Sequence, residues 1–210
     1  DSAVIPKIEA SRRVIEQIAE RNLPIYGVTT GFGLLSNVRI EPDQLSALQV
    51  NLVRSHACGV GKPLGEPEAR ALTLLRANVL AKGFSGIRLE VIQRLVDILN
   101  HDIYPLIPSQ GSVGASGDLA PLAHLAQVVI GEGMVEYKGQ KRLSQEVFDE
   151  LGLPKIELQA KEGLALLNGT QALTGVGSIA LTQAYRVLHA ANIAGMMTLD
   201  ALRDTPAAYE

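Results

Sequence analysis

Cysteine is almost absent: Cys58 is the only one in 210 residues. That excludes an intrachain disulfide framework and leads us to expect a reducing compartment, the cytoplasm. A basic excess is lacking too. Nineteen Lys and Arg against 22 Asp and Glu leave a net charge of −3, which argues against nucleic-acid or anionic-membrane partners, whose surfaces call for basic clusters. The four histidines, His56, His101, His124 and His189, are scattered. Without a His-Glu-x-x-His pair or a second cysteine, no metal site is expected. The N-terminal stretch DSAVIPKIEASRRVIEQ has no charged-then-apolar layout of a signal peptide. There is no repeat, low-complexity tract or clear linker, so residues 1–210 are expected to form a single unit.

What is present is a globular balance, 47% hydrophobic and 20% charged, enough for a real core. Apolar residues recur at helical spacing over residues 8–19, 43–56, 67–81, 89–99 and 119–130. A long apolar helix is expected from Ala165 through His189 and beyond. Residues 163–185 carry no charge, yet Asn168, Thr170, Gln171, Thr174, Ser178, Thr182 and Gln183 are too many polar groups for lipid exposure. The expectation is a helix buried in a bundle or subunit interface, with no membrane. The strand candidate is MVEYKGQKR near Met134, a hairpin turning over Lys138-Gly139. The fold class is therefore mainly α: a helical bundle with a long central helix and a short hairpin. Both ends read as interruptions, so a piece of a longer protein is expected.

Three glycine-rich loops stand out: YGVTTGFG from Tyr26, SHACGVGKPLG from Ser55 and GSVGASGDLAPLAH from Gly111. Gly59-Val60-Gly61-Lys62 matches neither a P-loop nor a dinucleotide fingerprint. Ser116 is a poor hydrolase nucleophile, because the Gly-x-Ser-x-Gly elbow and its preceding strand are missing. His124 reads better as a hydrogen-bonded helix residue than as its base. Ala115-Ser116-Gly117 has another chemical use. Glycine offers an amide nitrogen without a Cβ nearby, able to attack the Ala115 carbonyl and close a five-membered ring. Loss of the Ser116 hydroxyl as a second water would leave an electrophilic methylene. The helix starting near Asp118, with Pro121 in its first turn, would turn its positive end toward that ring. An ordinary tight turn capped by Asp118 explains the same residues.

GSVGASGDLAPLAH resembles the signature of the aromatic amino-acid ammonia-lyase family, in which Ala-Ser-Gly becomes the methylidene-imidazolone (MIO) group. YGVTTGFG, NLVRSHACGVG, LAKGFSGIR, IGEGMVEYKG and KEGLALLNGTQ resemble further family blocks, in the family's order. The resemblance implies that Ala115, Ser116 and Gly117 are the MIO precursors, with no external cofactor. It implies that Tyr26 is the base that removes the β-proton and that Asn168 contacts the ring and the substrate carboxylate. His56 matches a position facing the substrate side chain, and with the Ser55-His56 pair and KGFSGIR the chain looks most like the histidine-specific members.

The implied function is non-oxidative elimination of ammonia from L-histidine to give urocanate. Tyrosine or phenylalanine ammonia-lyases and aminomutases are the alternatives, as is a non-catalytic helical assembly module. Family members are longer, and an arginine, a second tyrosine and a glutamate of their site lie in the second half. The chain is thus expected to be the N-terminal, MIO-bearing part of a subunit, inactive alone. The implied partners are a small amino-acid substrate and further copies of itself, a homotetramer in the full-length protein.

Overall fold

The computed structural model describes residues 2–21, 23–113, 117–203, 205 and 207. The chain falls into two compact units, Asp1–Gly175 and Val176–Glu210. In the first, α1 (Ile5–Glu20), α2 (Leu45–His56), α3 (Glu66–Ala81), α4 (Leu89–Asn100), α5 (Leu119–Val129), α6 (Ser144–Glu150) and α7 (Glu162–Leu167) surround a main core, beside a small second cluster of Ile15, Val28, Leu45 and Ala160. α8 (Gln171–Ala201) starts in the first unit and makes up most of the second.

The five shorter helices fall where the periodicity puts them, within a few residues at each end. α3 shows why: Ala69, Leu72, Thr73, Arg76, Ala77 and Leu80 are its buried positions, an i, i+3, i+4, i+7, i+8 stripe. α5 is apolar nearly all round, with Leu122, Ala123, Leu125, Ala126 and Val129 fully buried. It packs against α2, α4, α6 and α7. Each such Leu contributes about 1.5–3 kcal/mol by leaving water, so α5 holds these four helices together.

The expected hairpin forms from β4 (Met134–Tyr137) and β5 (Gln140–Leu143). Lys138 and Gly139 both take positive φ, 51° and 74°, as a two-residue turn matched to strand twist requires. Three strands were not legible: β1 (Val60–Pro63), β2 (Tyr104–Pro105) and β3 (Pro108–Gln110). They are short and proline-bearing, so they show no alternation. Pro105 is tolerated because β2 lies at the edge of the β2-β4-β5 sheet. β1 pairs antiparallel with β3 across a register shift. α6 is likewise too short for a periodic signal, and is anchored by the fully buried Val147 and Phe148.

The long helix expected from Ala165 is instead two. It breaks at residues 168–170 between α7 and α8, where a Cβ on Gly169 would press on the ends of the Gln171 and Arg76 side chains. Residues 162–201 are long and apolar enough to cross a membrane by length and composition, a test that core helices also pass. The expected burial of α8 is not met within one chain. Leu181, Tyr185, Val187, Leu188, Ile193, Met196 and Met197 are exposed, an apolar surface of the kind that associates.

Candidate active site

The loop before α5 and the break between α7 and α8 meet. Gly117 has φ +114°, and a Cβ there would fall 2.6 Å from the Gly169 carbonyl oxygen and 2.8 Å from its nitrogen. Only glycine fits, on both conformational and steric grounds. The Asp118 N–H donates to the Gly169 carbonyl at 2.6 Å. Gly114, Ala115 and Ser116, two of them candidate ring residues, lie outside the described residues.

Asp118 does not cap its own helix. Its carboxyl, 1% exposed, accepts from the Ser112 hydroxyl at 2.7 Å and from the Leu173 N–H at 2.8 Å. Leu173 is the third residue of α8, so Asp118 fills the N-cap role for a helix 55 residues away in sequence. The turn is thus capped across space, and the same carboxyl ties α5 to α8.

Asn168 stands at the C-terminal end of α7, with φ −95° and ψ 113°. It is exposed and borders a hollow of about 390 Å³, which Phe84, Ser85, Lys161, Leu164 and Gln171 also line. A larger hollow, about 870 Å³, lies between α1 and the α3–α4 loop; the KGFSGIR block lines part of it, but none of Tyr26, His56, Gly117 and Asn168 does. Size alone therefore does not locate the chemistry.

Tyr26 sits in the loop after α1. A Cβ on Gly27 (φ +71°) would meet Leu164 Cδ2 at 2.5 Å, so this loop lies on α7, one helical turn before Asn168. The Tyr26 ring is 54% exposed and packs edge-on to Phe32, centroids 6.0 Å apart. Thr29 fastens the loop: its hydroxyl accepts from the Ile25 N–H at 3.0 Å and donates to the Leu23 carbonyl.

His56 ends α2. Its Nδ1 lies 2.9 Å from the Leu52 carbonyl and 3.1 Å from the Ser55 hydroxyl. A carbonyl only accepts, so in the neutral ring the proton is on Nδ1 and Nε2 keeps an open lone pair. His124 is the expected helix residue: its Nε2 accepts from the Gly59 N–H at 3.1 Å, joining the loop after His56 to α5. Burial pushes the His124 pKa down, in keeping with an acceptor nitrogen that must stay unprotonated.

Several structural residues escaped the sequence reading. Gln49 Oε1 accepts from the Gly163 and Leu164 N–H groups at 2.9 and 3.2 Å, capping α7 in place of Lys161, whose φ is +76°. Arg76 is 2% exposed. Its Nη2 donates to the carbonyls of Ala165 and Asn168, the latter at 2.9 Å, and its Nη1 to Gln171 Oε1 at 2.6 Å. Desolvation lowers its pKa to about 10, so it keeps its charge at neutral pH. Glu162, fully buried, accepts from Arg88 Nε and Nη2 at 2.8 and 2.7 Å, with Arg12 3.7 Å away. The signal was available. Arg12, Gln49 and Arg76 each interrupt the apolar stripe of a helix, and a polar residue there must find a buried partner.

Among the described residues, no group of three or more His, Cys, Asp or Glu is placed to hold a metal ion. The arrangement offers instead a glycine packed on backbone ahead of two helix N-termini, with the exposed Asn168 next in sequence to the Gly169 it touches.

A family model described as aromatic amino acid lyase matches residues 1–210. Histidine ammonia-lyase of Myxococcus xanthus (strain DK1622) is 53% identical over 196 residues, covering 93% of this chain and 39% of that protein. The crystal structure of histidine ammonia-lyase from Trypanosoma cruzi gives a TM-score of 0.89 at 42% identity, covering 99% of this chain and 40% of that one. That of tyrosine aminomutase from Streptomyces globisporus gives 0.81 at 45% identity, covering 88% and 35%. The chain thus spans well under half the length of the relatives it matches. Matched by the family model from end to end, it belongs to the aromatic amino acid lyase family.

Proposed function

We propose that the protein carrying this chain eliminates ammonia from L-histidine without oxidation, giving urocanate. The observation that carries this reading is the contact between Gly117 and the Asn168–Gly169 break, which joins two of the sequence blocks of the family resemblance. An MIO group formed from Ala115-Ser116-Gly117 fits this cradle, since its last residue must be a glycine held against backbone. When present, that group supplies an electrophilic methylene for the substrate's amino nitrogen, and no external cofactor is needed.

The chain's own residues take the remaining roles. Tyr26, exposed and braced by Phe32, removes the β-proton. Asn168 binds the substrate carboxylate. His56 offers Nε2 as an acceptor for the N–H of an imidazole side chain, its tautomer held by the Leu52 carbonyl. The arginine, second tyrosine and glutamate that the family resemblance implies are proposed to lie outside these 210 residues, so the chain alone is inactive. A homotetramer in the cytoplasm is the proposed setting, in which α8 finds its cover.

A second reading, tyrosine or phenylalanine lyase or aminomutase, is favoured by one observation: the 45% identity to tyrosine aminomutase. A phenolic hydroxyl could donate to His56 Nε2 as an imidazole N–H does. The test is urocanate absorbance on incubating the full-length protein with L-histidine, beside a tyrosine control. Histidine turnover, lowered by about 10²–10⁴-fold in Tyr26→Phe, is the expected result. Conversion of tyrosine in its place would transfer the assignment to the second reading.

A further inference from the structure

Arg76 is a buried cation whose hydrogen bonds go to no carboxylate. All three go to the α7–α8 break or the helix turns beside it: the Ala165 and Asn168 carbonyls and the Gln171 side chain. The last carbonyls of a helix have no partner within it and carry its negative end. A guanidinium can satisfy several at once through its planar fork. Arg76 therefore does more than fill space in α3, because it bonds the C-terminal carbonyls of α7 and the first residue of α8.

What the break then does is hold Gly117. Gly169 lies between two residues that Arg76 binds, Asn168 and Gln171. Its carbonyl accepts the Asp118 N–H at 2.6 Å, and its backbone is what a Cβ on Gly117 would strike. The line of contact runs from Arg76 to the break and from the break to the Asp118 N–H and the Gly117 Cα, the latter one bond from the Gly117 nitrogen. Ring closure depends on that atom. It bonds to the Ala115 carbonyl carbon, and the oxygen leaves as water with the hydrogens of the Gly117 and Ser116 amides. A second water takes the Ser116 hydroxyl and Cα hydrogen, leaving the methylene. The attacking amide must be held against the carbonyl, and misplacement of reacting groups is costly.

We propose that Arg76 is a positioning residue for ring closure, acting through the Asn168–Gln171 break to hold the Gly117 nitrogen. The inference rests on the MIO reading above, and the experiment separates the two. Intact mass of the full-length protein, followed over time after synthesis, reports the loss of two waters. Thermal unfolding reports folding. Arg94→Met serves as control, since Arg94 is equally buried (2% exposed) but lies over the Phe148 ring, 4.2 Å from its centroid.

Arg76→Met is expected to slow closure by about tenfold or more, the weight of one charge-assisted hydrogen bond. Arg76→Lys, which keeps a charged donor, should recover part of the rate. Arg94→Met should lose stability yet close like the wild type. Closure at the wild-type rate in folded Arg76→Met overturns the inference. If that variant does not fold, Gln171→Leu decides, since it removes one arm of the clamp and leaves Arg76 in place. It should slow closure, and an unchanged rate overturns the proposal. A wild-type protein that never loses two waters refutes the MIO reading itself.

Discussion

Replacing Asp118 by alanine tests how the site is tied together. The carboxyl is 1% exposed and makes two hydrogen bonds, 2.7 Å from the Ser112 hydroxyl and 2.8 Å from the Leu173 N–H. The second is a helix N-cap, whose loss costs about 0.5–2 kcal/mol. A hydrogen bond to a buried charged acceptor is worth about 1.5–3 kcal/mol, but Ser112 is exposed and its hydroxyl can turn to water. The sum is about 3 kcal/mol. For a chain of this size, 1 kcal/mol corresponds to about 2–4 °C, so Asp118→Ala should melt roughly 6–12 °C below the wild type. Asp118→Asn, which keeps one acceptor and adds a donor that Ser112 can use, should lose less than half as much. Calorimetry or circular dichroism at one pH measures both. Melting of the alanine variant within a degree or two of the wild type would refute the cap across space and return Asp118 to its own turn.

Three further outcomes follow from the geometry. Glu162→Gln keeps the shape but leaves the Arg88 and Arg12 guanidinium groups without their buried carboxylate, so denaturant unfolding should show a loss near the lower end of about 3–5 kcal/mol; a loss under 1 kcal/mol would show that the ion cluster is dispensable. His124, its pKa lowered by burial, stays neutral in the folded protein while the unfolded chain takes up protons as the pH falls below about 6.5. Stability should therefore be full above that pH and decline as pH drops toward the folded pKa, a slope that His124→Gln should flatten; equal slopes would show that another group titrates. The exposed apolar side chains of α8 should make the 210-residue chain self-associate in light scattering, and a monodisperse monomer would contradict the proposed role of α8 in assembly.

The helices were legible because each buries a stripe, and a stripe is a local pattern. The hairpin was legible because Lys138-Gly139 announces a turn that few other residues make. The α7–α8 break was not. Residues 163–185 read as one uncharged run, and the side chain that binds both sides of the break is Arg76, 92 residues before Asn168. β1, β2 and β3 were hidden for a related reason, since their partners rather than their composition make them strands. Of the site, Gly117, Asn168, Tyr26 and His56 were named from sequence blocks, and the structure puts Gly117 against the break that Asn168 begins. Tyr26 is near only by way of Leu164, and His56 is linked through the Gly59–His124 bond. The supporting residues Arg76, Gln49 and Glu162 carried a weaker mark, a polar group where the pattern called for an apolar one.

The central claim is that Ala115-Ser116-Gly117 becomes an electrophile. Intact mass spectrometry of the full-length protein, with peptide mapping across residues 111–124, tests it most directly. The account predicts a deficit of two water masses confined to that peptide, absent in Ser116→Ala. An unmodified peptide in a folded, purified protein would contradict it.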